Sequence, residues 1–184
     1  MRQVPNILSI LRLLLTPLTL TLLLQRRYRE ALLVHALCGF TDFVDGFLAR
    51  RYHWESRLGS FLDAASDKLY TLSIFCTLTY LGHCPTWYLA LLITLSLLQS
   101  TAVLILQTKN RSKLAPSFLG KAGMTAQFVW AGVMILDLWA NWLNPLTVQF
   151  ICGAIAALLV VAFIRYFLQF RSRLLPIAST RLAA

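Results

Sequence analysis

The chain alternates long apolar runs with short polar connections. Six runs stand out, at roughly 7–24, 31–48, 60–82, 86–106, 117–139 and 145–168. Each comes close to the ~20 mainly apolar residues that a helix needs to cross a bilayer. Several boundaries are marked locally: Pro5, Pro85 and Pro145 fall near the starts of the first, fourth and sixth runs, where a missing N–H has no helical partner to lose. Pro17 lies inside the first run, and a kink is expected there, which neighbouring spans can accommodate. The pattern predicts an all-α integral membrane fold with six transmembrane helices in one bundle, residues 1–184 forming a single membrane domain. The first run is expected to stay as a span rather than be cleaved as a secretory leader. It carries Arg12 and Pro17 and has no small-residue cleavage site before Gln25-Arg26-Arg27.

Composition supports the membrane reading: 58% of the residues are hydrophobic, against about 45–50% in soluble domains, and the mean hydropathy is +0.68. In a soluble protein the net charge of +10 would point to nucleic acid. Here the cations sit between apolar runs, so they report orientation instead. Arg50, Arg51 and Arg57 follow the second run, Lys109, Arg111, Lys113 and Lys121 follow the fourth, and Arg171, Arg173 and Arg181 follow the sixth. The connections near Gly82-His83-Cys84-Pro85 and Asn141-Trp142-Leu143-Asn144 hold no Lys or Arg. Both termini are therefore expected in the cytoplasm, with Arg26, Arg27 and Arg29 as the exception on the outer side. Cys38, Cys76, Cys84 and Cys152 show no zinc spacing and read as buried structural thiols, while His35, His53 and His83 are scattered singly and read as packing or interfacial residues.

Acids change the picture. Asp42, Asp45, Asp63 and Asp67 are four of the seven carboxylates in the chain, although an acid at the centre of a span costs about 2.5–3.5 kcal/mol. At 100° per residue, Asp42, Asp45, Gly46, Ala49 and Arg50 share one stripe of the second helix, and Gly59, Asp63 and Asp67 share one stripe of the third. The short connection makes the two helices antiparallel neighbours, so the stripes can face each other. Carboxylates converging in this way repel unless cations intervene. Their hard oxygens suit Mg²⁺, Mn²⁺ or Ca²⁺, and four shared carboxylates suit two ions better than one.

Written out, Asp42-x2-Asp45-Gly46-x2-Ala49-Arg50-x8-Gly59-x3-Asp63-x3-Asp67 resembles the signature of the CDP-alcohol phosphotransferases. Asn6-x2-Ser9-x2-Arg12 resembles the opening of the first span in the phospholipid-making branch, and Ser117-x2-Gly120-Lys121 with Gln127 resembles the start of its fifth. The likeness is nearest to phosphatidylglycerophosphate and cardiolipin synthases and covers nearly the whole chain. It implies a membrane-embedded enzyme that transfers the phosphatidyl group of CDP-diacylglycerol to an alcohol and releases CMP. By that resemblance Asp42, Asp45, Asp63 and Asp67 would bind two divalent cations, Mg²⁺ or Mn²⁺. Asp67 would also be the general base, and Gly46, Ala49, Arg50 and Gly59 would border CDP. A homodimer in the bacterial cytoplasmic membrane, with its site at the cytoplasmic face, is also implied.

The acceptor is less well marked. Asn6, Arg12, Arg57 and Lys121 are candidates for binding its phosphate, which would suit glycerol 3-phosphate, the expected acceptor. Related glycerophosphate enzymes usually show an Arg-acid pair in the fourth span and G-K-x-K-T-x-x-Q in the fifth. Here Gln99-Ser100 stand near the first place, and Gly123 and Met124 replace the second Lys and the Thr. A less charged pocket could admit phosphatidylglycerol, giving cardiolipin. Outside this class, an ion transporter or channel would also place acids within spans, although the outer halves of the runs hold little charge apart from Asp137.

Overall fold

The structure, a computed structural model, describes the backbone of residues 4–52, 57–108 and 118–174 and the side chains of 12–42, 65–105 and 119–171. Among the described residues six α-helices follow one another: α1 (Val4–Leu24), α2 (Tyr28–Tyr52), α3 (Arg57–Tyr80), α4 (Thr86–Thr108), α5 (Phe118–Ala140) and α6 (Pro145–Leu174). No strand occurs among the described residues. Proline sits where the pattern placed it: Pro85 directly precedes α4, Pro145 opens α6, and α1 runs on as helix through Pro17.

Three tight connections close one end of the bundle. After α1, Arg26 turns left-handed at φ 60°, and the N–H groups of Arg26 and Arg27 donate to the carbonyls of Leu23 and Leu22, a Schellman ending. Gly82 does the same after α3 at φ 78°, where the missing Cβ removes the usual penalty. After α5 the left-handed residue is Asn141, at φ 51°. The buried carboxylate of Asp137 then accepts the N–H groups of Trp142 and Leu143 at 2.9 and 2.7 Å. The acid that stood out near the outer boundary thus ties the following connection back to the last turn of α5, satisfying two backbone donors of that loop.

Packing places α3 against α1, α4 and α5, with α2 bridging α1 and α5, and α6 lying against α4 and α5. Leu23, Ile74, Phe75, Leu78, Tyr88, Met134, Ile135 and Cys152 form the fully buried centre. Large apolar side chains such as Leu33, Phe40, Leu97, Phe150 and Phe167 point outward, as lipid-facing residues do and as water would disfavour. Among the described residues, three helices are long and apolar enough to cross a membrane, over Thr86–Ile105, Leu119–Ala140 and Pro145–Arg171. The protein is a membrane protein with an all-helical fold. Helices α2 and α3 are less apolar than the others, because the acids lie in them.

Three of the four thiols are buried, as expected; Cys76 is exposed on α3. It lies two residues from the core residue Ile74, a spacing that turns the side chain to the opposite side of a helix.

Candidate active site

Arg12 lies eight residues into α1, on the side that meets α2 and α3. Its guanidinium is nearly sealed from solvent, and it joins two acids from different helices: Nη2 lies 2.5 Å from Oδ1 of Asp42 on α2, and Nη1 donates to Oδ1 of Asp67 on α3. The planar fork of arginine suits this double role better than a lysine point charge would. Arginine side chain and carboxylates differ in exposure, at 4% against 52% and 38%. The cation is therefore held inside while its partners open outward. Both contacts use Oδ1, which leaves the second oxygen of each carboxylate for a further partner. Thr16 steadies the base of the arrangement, its hydroxyl donating to the Arg12 carbonyl at 2.8 Å.

Helix α2 continues through Asp45 and α3 through Asp63, one turn from Asp42 and Asp67 respectively. Asn6, Asp45, Gly46, Ala49, Arg50, Arg57, Gly59 and Asp63 lie outside the residues whose side chains the structure describes. Lys109, Arg111, Lys113 and His53 lie outside the described residues altogether. What the structure does bring together is one acid from each stripe, with Arg12 between them. Sequence reasoning placed Arg12 with the acceptor; the tertiary contact adds a role as the cation shared by the acids.

Lys121 is exposed at one end of a groove of about 640 Å³ along α5 and α6, whose walls include Thr125, Val129, Trp130, Ile151 and Ile155. Gly123 faces α6: a Cβ there would meet Leu159 Cδ2 at 2.8 Å, so a longer side chain must displace that leucine. Met124 is exposed, and Gln127 is buried within α5. On α4, Ser100 accepts from Lys68 Nζ at 3.3 Å, which links the two helices beside Asp67. Lys68 went unnoticed in the sequence because a lysine after an acid at a span end looks like an ordinary interfacial charge.

The family model described as CDP-alcohol phosphatidyltransferase matches residues 2–162, which takes in both acidic stripes and Arg12. The chain belongs to this family. As a CDP-alcohol phosphatidyltransferase it is a transferase of phospholipid biosynthesis. A Streptomyces coelicolor protein named cardiolipin synthase (CMP-forming) is 35% identical over 153 residues, 80% of this chain and 71% of that protein. An Aquifex aeolicus CDP-diacylglycerol–glycerol-3-phosphate 3-phosphatidyltransferase is 40% identical over 78 residues, 42% of this chain and 43% of its own. A Shigella flexneri protein of the same name is 27% identical over 178 residues, 92% of this chain and 93% of its own.

CDP-alcohol phosphatidyltransferases use divalent cations, and the donors described here fit such ions. Asp42 and Asp67 supply hard oxygens from two helices that both pack on α1 and are open enough to accept a ligand. Among the described residues, no group of three or more His, Cys, Asp or Glu converges.

Proposed function

We propose that the protein transfers the phosphatidyl group of CDP-diacylglycerol to phosphatidylglycerol, forming cardiolipin and CMP. The observation that carries the reaction class is the meeting of Asp42 and Asp67 on Arg12, since it turns two sequence stripes into one site. The acceptor reading draws support from the α5–α6 groove, where Lys121 is the charged residue in a mainly apolar lining. An acceptor phosphate flanked by acyl chains suits that combination, and the position of the second lysine is instead packed against Leu159. The name of the Streptomyces coelicolor relative agrees. Glycerol 3-phosphate is the second reading, favoured by Lys121 and by the Shigella flexneri relative, which is matched over nearly its full length.

In this scheme the acceptor hydroxyl oxygen attacks the lipid-side phosphorus of CDP-diacylglycerol. The bond from that phosphorus to the bridging oxygen breaks, and CMP leaves with the oxygen. Asp67 takes the hydroxyl proton through the oxygen that Arg12 does not use, provided the acceptor reaches hydrogen-bond distance. Arg12 supplies the positive charge that Asp42 and Asp67 share. Gly46, Ala49, Arg50 and Gly59 border the CDP moiety, and Asn6, Arg57 and Lys121 receive acceptor phosphate. Two divalent cations, Mg²⁺ or Mn²⁺, held by Asp42, Asp45, Asp63 and Asp67, would supply charge neutralisation on the pyrophosphate.

The same reading takes 1–184 as a single membrane domain with six spans and both termini in the cytoplasm, the site at the cytoplasmic face of the bacterial inner membrane. The outer arginines are compatible with it. Arg27 pairs with Glu30 at 2.9 Å, and the Arg29 guanidinium lies 4.3 Å from the centroid of the Trp139 ring. The family resemblance further implies a homodimer.

Purified protein in vesicles, supplied with CDP-diacylglycerol, Mn²⁺ and either acceptor, tests this directly by mass spectrometry of the lipid product. Cardiolipin with phosphatidylglycerol, lost in Asp67→Asn, is the expected result. Phosphatidylglycerophosphate alone would move the acceptor to glycerol 3-phosphate. CMP release unchanged in Asp67→Asn would overturn the site.

A further inference from the structure

Behind the acids, a second polar group crosses the bundle where the sequence suggested only packing. His35 is buried on α2, two turns before Asp42, and both ring nitrogens are engaged. Nδ1 lies 2.7 Å from the Tyr70 hydroxyl on α3, and Nε2 lies 3.1 Å from the Phe128 carbonyl on α5. A carbonyl only accepts, so Nε2 carries the proton; in the neutral ring Nδ1 is then the acceptor and Tyr70 must donate. One small group of atoms thus links three helices.

The rings are fitted as closely as the polar atoms. His35 stacks on Phe128 with centroids 4.1 Å apart and planes 13° from parallel. Two glycines make the slot. A Cβ on Gly132, one turn beyond Phe128, would sit 3.3 Å from the His35 ring, and one on Gly39, one turn beyond His35, would sit 2.5 Å from the Phe128 ring. The slot leaves His35 little freedom to slide or tilt.

We infer that His35 and Tyr70 are a positioning pair: their contact sets the rotation of α3 against α2 and α5, and so holds Asp67 opposite Asp42. Tyr70 follows Asp67 by three residues, nearly one turn, so a rotation that moves one moves the other. Arg12 alone is a weak constraint, because its side chain is long and its partner carboxylates are half exposed and screened. The His35–Tyr70 contact is short, dry and flanked by stacked rings, which makes it the stiffer link. The inference rests on the phosphatidyl-transfer reading for its consequence, though not for its geometry.

The test uses the full chain in lipid nanodiscs. Tyr70→Phe removes one oxygen and keeps the ring; His35→Phe keeps the stack and removes both hydrogen bonds; His35→Gln can still accept from Tyr70 and donate to Phe128. Two readouts are compared: the Mn²⁺ concentration giving half the maximal metal-induced rise in melting temperature, and kcat against KM for CDP-diacylglycerol. Tyr70→Phe and His35→Phe are expected to raise half-saturating Mn²⁺ and lower kcat by about tenfold each, as loss of a partner behind a ligand does. KM should stay within about twofold, and His35→Gln should recover much of the loss, since it restores both hydrogen bonds. Melting temperatures that fall while Mn²⁺ half-saturation and kcat stay at wild-type values would overturn the inference and leave a purely structural tie. If wild-type protein releases no CMP but the Mn²⁺ thresholds move as stated, the reaction assignment fails and the positioning role stands.

Discussion

Replacing Arg12 by methionine keeps most of the side-chain bulk and removes the cation that Asp42 and Asp67 share. The cost can be bracketed from exposure. Breaking a fully buried ion pair costs about 3–5 kcal/mol, and losing an exposed one about 0–1 kcal/mol. Here the group that disappears is the buried one, at 4% exposure, while the carboxylates left behind are 52% and 38% exposed and keep much of their hydration. No uncompensated charge is sealed in, so the loss should lie between the brackets, at about 2 kcal/mol. For a chain of this length that corresponds to a fall in melting temperature of roughly 4–8 °C. It can be read from the emission of the five tryptophans during heating in nanodiscs without divalent ions. Added Mn²⁺ should then stabilise Arg12→Met more than wild type, because the two acids have lost their resident counter-charge. Arg12→Lys should recover only part of the loss, since one ammonium does not reproduce the two-pronged contact. An unchanged melting temperature, or equal Mn²⁺ increments in both proteins, would refute the shared-cation account.

Three further outcomes follow from other parts of the fold. Asp137→Ala removes the acceptor of the Trp142 and Leu143 N–H groups and should lower stability by about 2 kcal/mol, seen as faster hydrogen exchange at those two amides with little change in CMP release. Gly123→Lys forces a side chain against Leu159; a loss of about 1–3 kcal/mol is expected from overpacking, and a melting temperature equal to wild type would show that α6 yields freely. Arg29→Gln and Trp139→Leu should each cost the ~0.5–1 kcal/mol of an exposed cation–π contact, with less than additive loss in the double variant. Full additivity would mean the pair at 4.3 Å contributes nothing.

Much of this arrangement was legible before any coordinates, because apolar run length and helical period are local properties. The runs predicted at 7–24 and 86–106 correspond to Val4–Leu24 and Thr86–Thr108, and the largest departure at any one end is in the sixth, where helix continues to Leu174. Amphipathic residues such as Arg171 extend the helix without extending the apolar run, so hydropathy stops short. The stripes of Asp42 and Asp67 were readable from spacing of three and four. Their counter-charge was not, since Arg12 lies 30 and 55 residues away along the chain and nothing local links them. His35 was hidden for the same reason: a lone histidine in an apolar run carries no periodic signal, and its partners sit on α3 and α5. Asp137 misled in the opposite direction, an acid in a span whose work is confined to the next few residues.

The tight turn at Arg26 has a consequence for how the chain enters the membrane. It makes α1 and α2 one helical hairpin, which holds Arg12 and Asp42 on adjoining faces before α3 is needed. In the six-span reading proposed above, each charge alone would oppose insertion, and as a pair in one hairpin they enter the bilayer already neutralised. In that order of assembly Asp67 would meet, with α3, a cation already paired with Asp42, and its capture would mark the docking of the next hairpin. A chain that docks the wrong pair of helices leaves Asp67 without Arg12, so the residues that form the site also report whether the bundle has been assembled correctly.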